Sequence, residues 1–426
     1  MVYNIIHPLK FDTTIIEMCL SLFLISVPEF VVTIAFAGLC GSVILIRARS
    51  LQVPATWPLL TFLLPLCLAV LDIYFAFLPA LPDAELYSEL ASKSAHAWWE
   101  GNLLETADYQ NIRIQTYATF LGIVYAFSNH TYLAGIVANA GLWGLATTYW
   151  LRIGQSTLDL SQSSSRIAGL MFVCYPAGVF YSSALLREPI TMFLLAVTCW
   201  HLLRWIRTQE PRHFVVGIVT SLIIGLLRPE LLPVLWFAMG SALLSANVSI
   251  PHLIRIGGVA VLGVSLVQIF SVRIPGYLNP FRLSLLEAKR AAETTRPHAY
   301  LAWMEFSSWF DVLIAIPIRI IYLLYSPFPW QLHSYSLFIV TLDALYVFVI
   351  TLVALPALLW GVIGRRADRL FLIWFAFLLL IGYSLVTSTE SVASRRRLYA
   401  LPVLFLFASY EISRRVGNIR FRCHGK

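Results

Sequence analysis

The stretch from Tyr335 to Ile363, YSLFIVTLDALYVFVITLVALPALLWGVI, decides the fold. It is continuously apolar rather than alternating, and it exceeds the ~20 residues that a helix needs to cross a bilayer. Backbone groups in lipid must bond inside their own segment or within a closed barrel, so such a run is a helix. Similar runs recur along the chain. Of its 426 residues, 59% are hydrophobic and only 12% charged, with a mean hydropathy of +0.77. A soluble domain carries about a quarter of its residues charged, so a water-soluble fold is excluded.

The expected fold class is therefore all-α, a polytopic membrane protein with about 11 transmembrane helices, in the range 9 to 13. Spans are placed near 30–46, 56–79, 131–151, 167–186, 189–206, 213–227, 231–246, 253–271, 335–363, 370–386 and 398–413. Three apolar stretches are ambiguous. Residues 13–27 contain Glu17 and end at Pro28, 114–127 is short, and 312–330 is interrupted by Pro317, Arg319 and Pro327. The last two are read as re-entrant or interfacial helices. Only Lys10 precedes the first apolar run and no small-residue cleavage site follows it, so no cleavable signal peptide is expected.

The net charge of +8 acquires meaning from its distribution. With these spans, one side collects 16 Lys and Arg, among them Arg47, Arg152, Arg204 and Arg369, against four acids. The other side holds 14 cations and 18 acids, so the two sides carry roughly +12 and −4. An excess of Lys and Arg marks the cytoplasmic side, and no nucleic-acid partner is implied. The whole chain reads as a single transmembrane domain over 1–426, with two large outward connections, 80–130 and 272–334. The six cysteines show no metal-ligand or disulfide spacing, and no phosphate-binding or dinucleotide glycine motif is present.

Charges set at helix ends on the outward side are candidates for function, because an ionisable group near the bilayer is costly. There are four such places. LPDAELYSELA brings Asp83 and Glu85 directly after Pro82; YSSALLREP carries Arg187 and Glu188; GLLRPELLP carries Arg228 and Glu230; STESVASRRRLYALP carries Glu390 and Arg395, Arg396 and Arg397. Each has an ordinary alternative. Asp83 suits a helix N-terminus, the Arg–Glu turns suit an aqueous interface, and the three arginines suit lipid headgroups. Their shared side favours the functional reading: carboxylates with arginines fit a substrate that has a phosphate leaving group and a hydroxyl to be deprotonated.

The order of segments also resembles a known group of enzymes. PDAELYSELA opens an outer loop that runs to WWEGN, followed by CYPAGVFYSSALLREP, GLLRPE, SPFPWQ and an arginine-rich turn before RLYALPVLFLFASYEI. This resembles the GT-C superfamily of polytopic glycosyltransferases, which includes the protein O-mannosyltransferases and the lipid A aminoarabinose transferase. The resemblance covers roughly residues 56–415. It implies an inverting transferase that uses a polyprenyl-phosphate-linked sugar as donor and a saccharide or other hydroxyl as acceptor, embedded among membrane lipids. It also implies Asp83 as catalytic base with Glu85 as partner, with or without a divalent cation at Asp83/Glu85. Arg187, Arg228 and Arg395 to Arg397 would bind the substrate phosphate, supported by Glu188, Glu230 and Glu390. The D-A-E spacing and the lack of a C-terminal soluble domain depart from the commoner patterns. The closing turn and SPFPWQ are similar to O-antigen or exopolysaccharide polymerases, one alternative; a lipid-linked saccharide flippase or other transporter is another.

Overall fold

A computed structural model describes residues 27–76, 78, 81–102, 111–128, 131–245, 283–295, 299–331 and 335–424. The expected span 253–271 and the apolar stretch 13–27 lie outside these, apart from Val27 at the latter's edge. Among the described residues the chain is all-helical, with 16 α-helices and no strands. In order they are α1 (Val27–Ser50), α2 (Thr56–Phe75), α3 (Pro82–Trp99), α4 (Ile112–Ser128), α5 (Tyr132–Thr157), α6 (Gln162–Val173), α7 (Pro176–Ser182) and α8 (Glu188–Thr208). There follow α9 (Pro211–Leu227), α10 (Leu231–Ser245), α11 (Leu283–Thr294), α12 (Trp309–Tyr325), α13 (Tyr335–Ile363), α14 (Ala367–Val386), α15 (Glu390–Arg397) and α16 (Leu401–His424).

Five stretches, Val31–Ser50, Thr56–Ile73, Glu188–Thr208, Phe338–Ile363 and Ala367–Val386, are long and apolar enough to cross a membrane, and α9 and α10 are shorter apolar helices. Exposed aliphatic side chains along α1 and α13, such as Val31, Ile46, Leu352 and Leu359, suit a lipid surround. Several long apolar helices thus mark a membrane-embedded protein.

One expected span is divided. Residues 167–186 form two helices, α6 and α7, separated at Cys174–Tyr175 before Pro176. Pro176 has no amide hydrogen to continue the ladder, and it begins α7 at a position where none is needed. Both ambiguous inner stretches are single helices: α4 covers 114–127, and α12 covers 312–325 with Pro317 inside it.

The centre of the bundle is α5, buried over most of its length against α1, α2 and α8. Small residues permit this approach. A Cβ on Gly144 would come within 2.8 Å of the Pro58 carbonyl oxygen on α2, so glycine sets how closely these helices meet. Asn139, buried in the same helix, donates Nδ2 hydrogen bonds to the carbonyls of Ala184 (2.7 Å) and Leu186 (2.9 Å), and bonds the Tyr117 hydroxyl on α4. A polar side chain in an apolar helix needs such partners, and here they fix the turn that leads into Arg187 and Glu188.

Two fully buried arginines fasten the other half. Arg319 of α12 donates to the carbonyls of Ser384 (2.7 Å) and Thr387 (2.8 Å) near the end of α14. Arg397 of α15 pairs with Asp343 of α13 and donates to the Leu324 (2.7 Å) and Ser326 (3.1 Å) carbonyls at the end of α12. The last carbonyls of a helix lack partners within it and carry partial negative charge, so a buried guanidinium both satisfies them and is satisfied.

Candidate functional site

Pro82 opens α3, and Asp83 and Glu85 fall in its first turn. Asp83 Oδ2 accepts a hydrogen bond from Arg395 Nη1 at 2.7 Å, across more than 300 residues of sequence. The pair is reachable from solvent, the side chains being 54% and 24% exposed. The Arg395 guanidinium also lies over the ring of Tyr181 on α7, 5.6 Å from its centroid. Burial would lower the Arg395 pKa, but Glu188, Tyr181 and Asp83 outweigh it and hold the guanidinium charged.

Glu188 begins α8 and is 2% exposed. Its Oε1 accepts from Arg228 Nη2 at 2.7 Å, while Oε2 is buried without a hydrogen-bond partner among the described residues. Arg228 stands at the end of α9 and Glu230 just before α10, so the turn between two apolar helices supplies both. Glu230 reaches Arg228 and Arg113 of α4, each at 3.7 Å. Burial raises the Glu230 carboxyl, but Arg228, Arg113 and Arg396 lower it further and keep it ionised.

Arg187 caps the start of α8, is half-buried, and makes no ion pair to a carboxylate among the described residues. Its charge reaches Tyr87 and Tyr399. Arg396 donates to the Thr387 hydroxyl at 2.7 Å and lies 3.9 Å from Glu293 of α11. Lys289, one turn earlier on α11, lies within electrostatic reach of Glu230, Arg113 and Arg396.

The structure therefore gathers Asp83, Arg187, Glu188, Arg228, Glu230, Arg395 and Arg396 at one end of the bundle. Three expected members stand apart. Glu85 is exposed and its charge reaches Tyr132, because two residues along a helix turn a side chain by about 200°. Arg397 is turned away from Arg395 by the same spacing and is committed to Asp343. Glu390 is 5% exposed, and its Oε2 has no hydrogen-bond partner among the described residues. Burial alone pushes its carboxyl up to about 7. Asp72, an acid inside the second apolar run, acts locally. Its Oδ1 accepts from Leu78 N at 2.7 Å, closing the end of α2.

Several residues of this end escape sequence reading. Tyr87 sits one turn after Asp83 and shares its face, a signal present in the spacing. Arg113 is a cation directly before the apolar run 114–127. Asp343 is a lone acid inside the 335–363 span, where the cost of a charge already points to a buried partner. Among the described residues no three His, Cys, Asp or Glu side chains are grouped as metal ligands, and Asp83 gives one oxygen to Arg395. No protein-family model matches the chain, and no curated protein matches it in sequence.

Proposed function

We propose that this protein is a multi-pass glycosyltransferase, of the kind the GT-C resemblance implies, in a bacterial inner membrane with its site facing outward. It would move a sugar from a polyprenyl phosphate carrier to a hydroxyl acceptor in cell-envelope or exopolysaccharide synthesis. The observation that carries this reading is the meeting of Asp83, Arg395, Glu188, Arg228 and Arg187, drawn from α3, α15 and the turns beside α8 and α9.

This reading implies a sequence of events. At rest Arg395 is paired with Asp83. An incoming donor phosphate, a stronger and doubly acceptor partner, takes Arg395 alongside Arg187, whose guanidinium has no carboxylate to give up among the described residues. Once Arg395 has turned to the phosphate, the Asp83 carboxylate is free to accept a proton. The acceptor oxygen then attacks the sugar C1 as its proton passes to Asp83, the C1–O bond to phosphate breaks on the opposite face, and the phosphate leaves with the electron pair toward the arginines. A charge-assisted hydrogen bond contributes about 1.5–3 kcal/mol, so each arginine accounts for roughly one to two orders of magnitude in rate.

Glu188 Oε2 and Arg228 Nε, without a hydrogen-bond partner among the described residues, fit a site that a ligand completes. A transporter is less well supported, since binding charges there concentrate near the bilayer midplane, whereas these stand at helix ends. One observation favours the polymerase alternative with a diphosphate-linked donor: Arg228 reaches both Glu188 and Glu230, and so joins Arg187 and Arg395 to a second group, Arg113, Arg396 and Lys289. The test is to incubate purified protein with short-chain prenyl monophosphate hexoses and prenyl diphosphate hexoses and measure release of the prenyl carrier. Release from the monophosphate supports the first reading and release from the diphosphate alone the second. With neither, across hexoses and acceptors, transfer chemistry is rejected.

A further inference from the structure

The opposite end of the bundle holds arginines of a different kind. α8 begins at the candidate site with Glu188, and Trp200, His201 and Arg204 come three to four turns later. There they meet the ends of α1 and α5, which carry Arg47 and Arg152. The four acids of this end are already committed. Asp159 pairs with Arg366 and Arg369, Asp368 with Arg207 and Arg366, Glu210 with Arg212, and Glu411 with Arg414 and Arg415.

Arg47, Arg152 and Arg204 are left without a carboxylate among the described residues. Arg47 donates instead to the Tyr149 hydroxyl, 2.8 Å from Nε. Arg152 and Arg204 share one aromatic ring, their guanidinium carbons 5.8 and 5.5 Å from the centroid of Trp200. In both, Nε is buried with no hydrogen-bond partner among the described residues. Arg152 also feels the charge of Arg204. Two like charges on one ring, with donors unsatisfied, are unfavourable alone and favourable around an anion. Beside Arg152 is a cavity of about 460 Å3 whose polar lining is Gln52, Gln155 and Gln162, a size that accommodates a small ligand group.

We propose that Arg152 and Arg204, with Arg47 behind them, bind the phosphate of an anionic lipid headgroup. Phosphate is the chemistry that suits forked guanidinium donors, and basic recesses between helices hold such headgroups. The lipid is favoured over a soluble phosphate by exposed aliphatic side chains on α1, which carries Arg47, and on α9, which packs against α8. Ile46, next to Arg47, is 68% exposed and Val215 at the start of α9 is 56% exposed, aliphatic surface that would meet acyl chains. By the charge asymmetry of the chain, this is the cytoplasmic leaflet.

The test uses the full chain, purified and stripped of lipid, then titrated with phosphatidylglycerol or phosphatidylethanolamine and read by native mass spectrometry and thermal shift. Wild type should retain phosphatidylglycerol preferentially. The double variant Arg152→Gln/Arg204→Gln should bind it roughly tenfold or more weakly, while Arg49→Gln, an exposed charge at the same end, should not change. Should the double variant fail to fold, Arg152→Lys/Arg204→Lys keeps the charge and loses the fork, and a weaker but measurable preference is expected. Equal retention of both lipids by wild type, or unchanged binding in the double variant, overturns the site. Displacement of the lipid by equimolar inorganic phosphate overturns the lipid as the source of that phosphate.

Discussion

The two faces of α15 use one chemistry in opposite surroundings. Arg395 meets Asp83 where both remain accessible to water, with side chains 24% and 54% exposed; Arg397 meets Asp343 where both are 1% exposed or less. An exposed ion pair contributes little to stability because water competes for each partner. A buried one contributes little net either, yet removing one member strands the other in an apolar setting. The first pair can therefore be exchanged for a ligand, whereas the second can only hold the helix that presents it. Three consecutive arginines, equivalent as letters, divide into exchangeable and fixed contacts according to the direction in which the helix turns them.

The largest effect should come from the fixed pair. Arg397→Met leaves Asp343 buried without its cation, and should destabilise the protein by about 3–5 kcal/mol. Thermal unfolding in detergent measures this, and pairing the change with Asp343→Asn should recover part of the loss. Wild-type melting of the single variant would erase the contrast. At the exchangeable pair the expectation reverses. Asp83→Asn should reduce carrier release by about a hundredfold or more, with stability altered by no more than about 1 kcal/mol. Full turnover by this variant would remove Asp83 from the chemistry.

A smaller effect tests the geometry of the phosphate contact. Arg395→Lys retains the charge but not the planar fork, and should lower the same rate about tenfold; an unchanged rate would mean that Arg395 supplies charge alone. The smallest concerns Glu390, which opens this helix without a paired cation among the described residues. Its folded pKa of about 7 lies above the ordinary 4.5, so below about pH 4.5 it is protonated in folded and unfolded chains alike. As pH rises from there through 7, the unfolded chain ionises first and stability is lost. Glu390→Gln should therefore melt with wild type near pH 4 and above it near pH 8. A gap of the same size at both pH values would show that Glu390 does not titrate as its burial implies.

The sequence by itself determined the helical class and the membrane setting, because a long apolar run has only one way to satisfy its backbone in lipid. It also picked out the Asp83, Arg187, Arg228 and Arg395 segments, because charges beside such runs are costly enough to stand out from their neighbours. It did not divide 167–186 at Pro176, where a local backbone restriction interrupts a pattern that hydropathy averages over. Which members of each segment meet was decided only by the tertiary structure. Asp83 with Arg395, and Asp343 with Arg397, are contacts across helices far apart in the chain, and their choice rests on rotations of about 100° per residue fixed by how the helices pack on one another. Asn139 and the carbonyls at the ends of α12 and α14 belong to the same category. Their partners are backbone groups, which carry no letter in the sequence and exist as sites only once the helices have ended where they do.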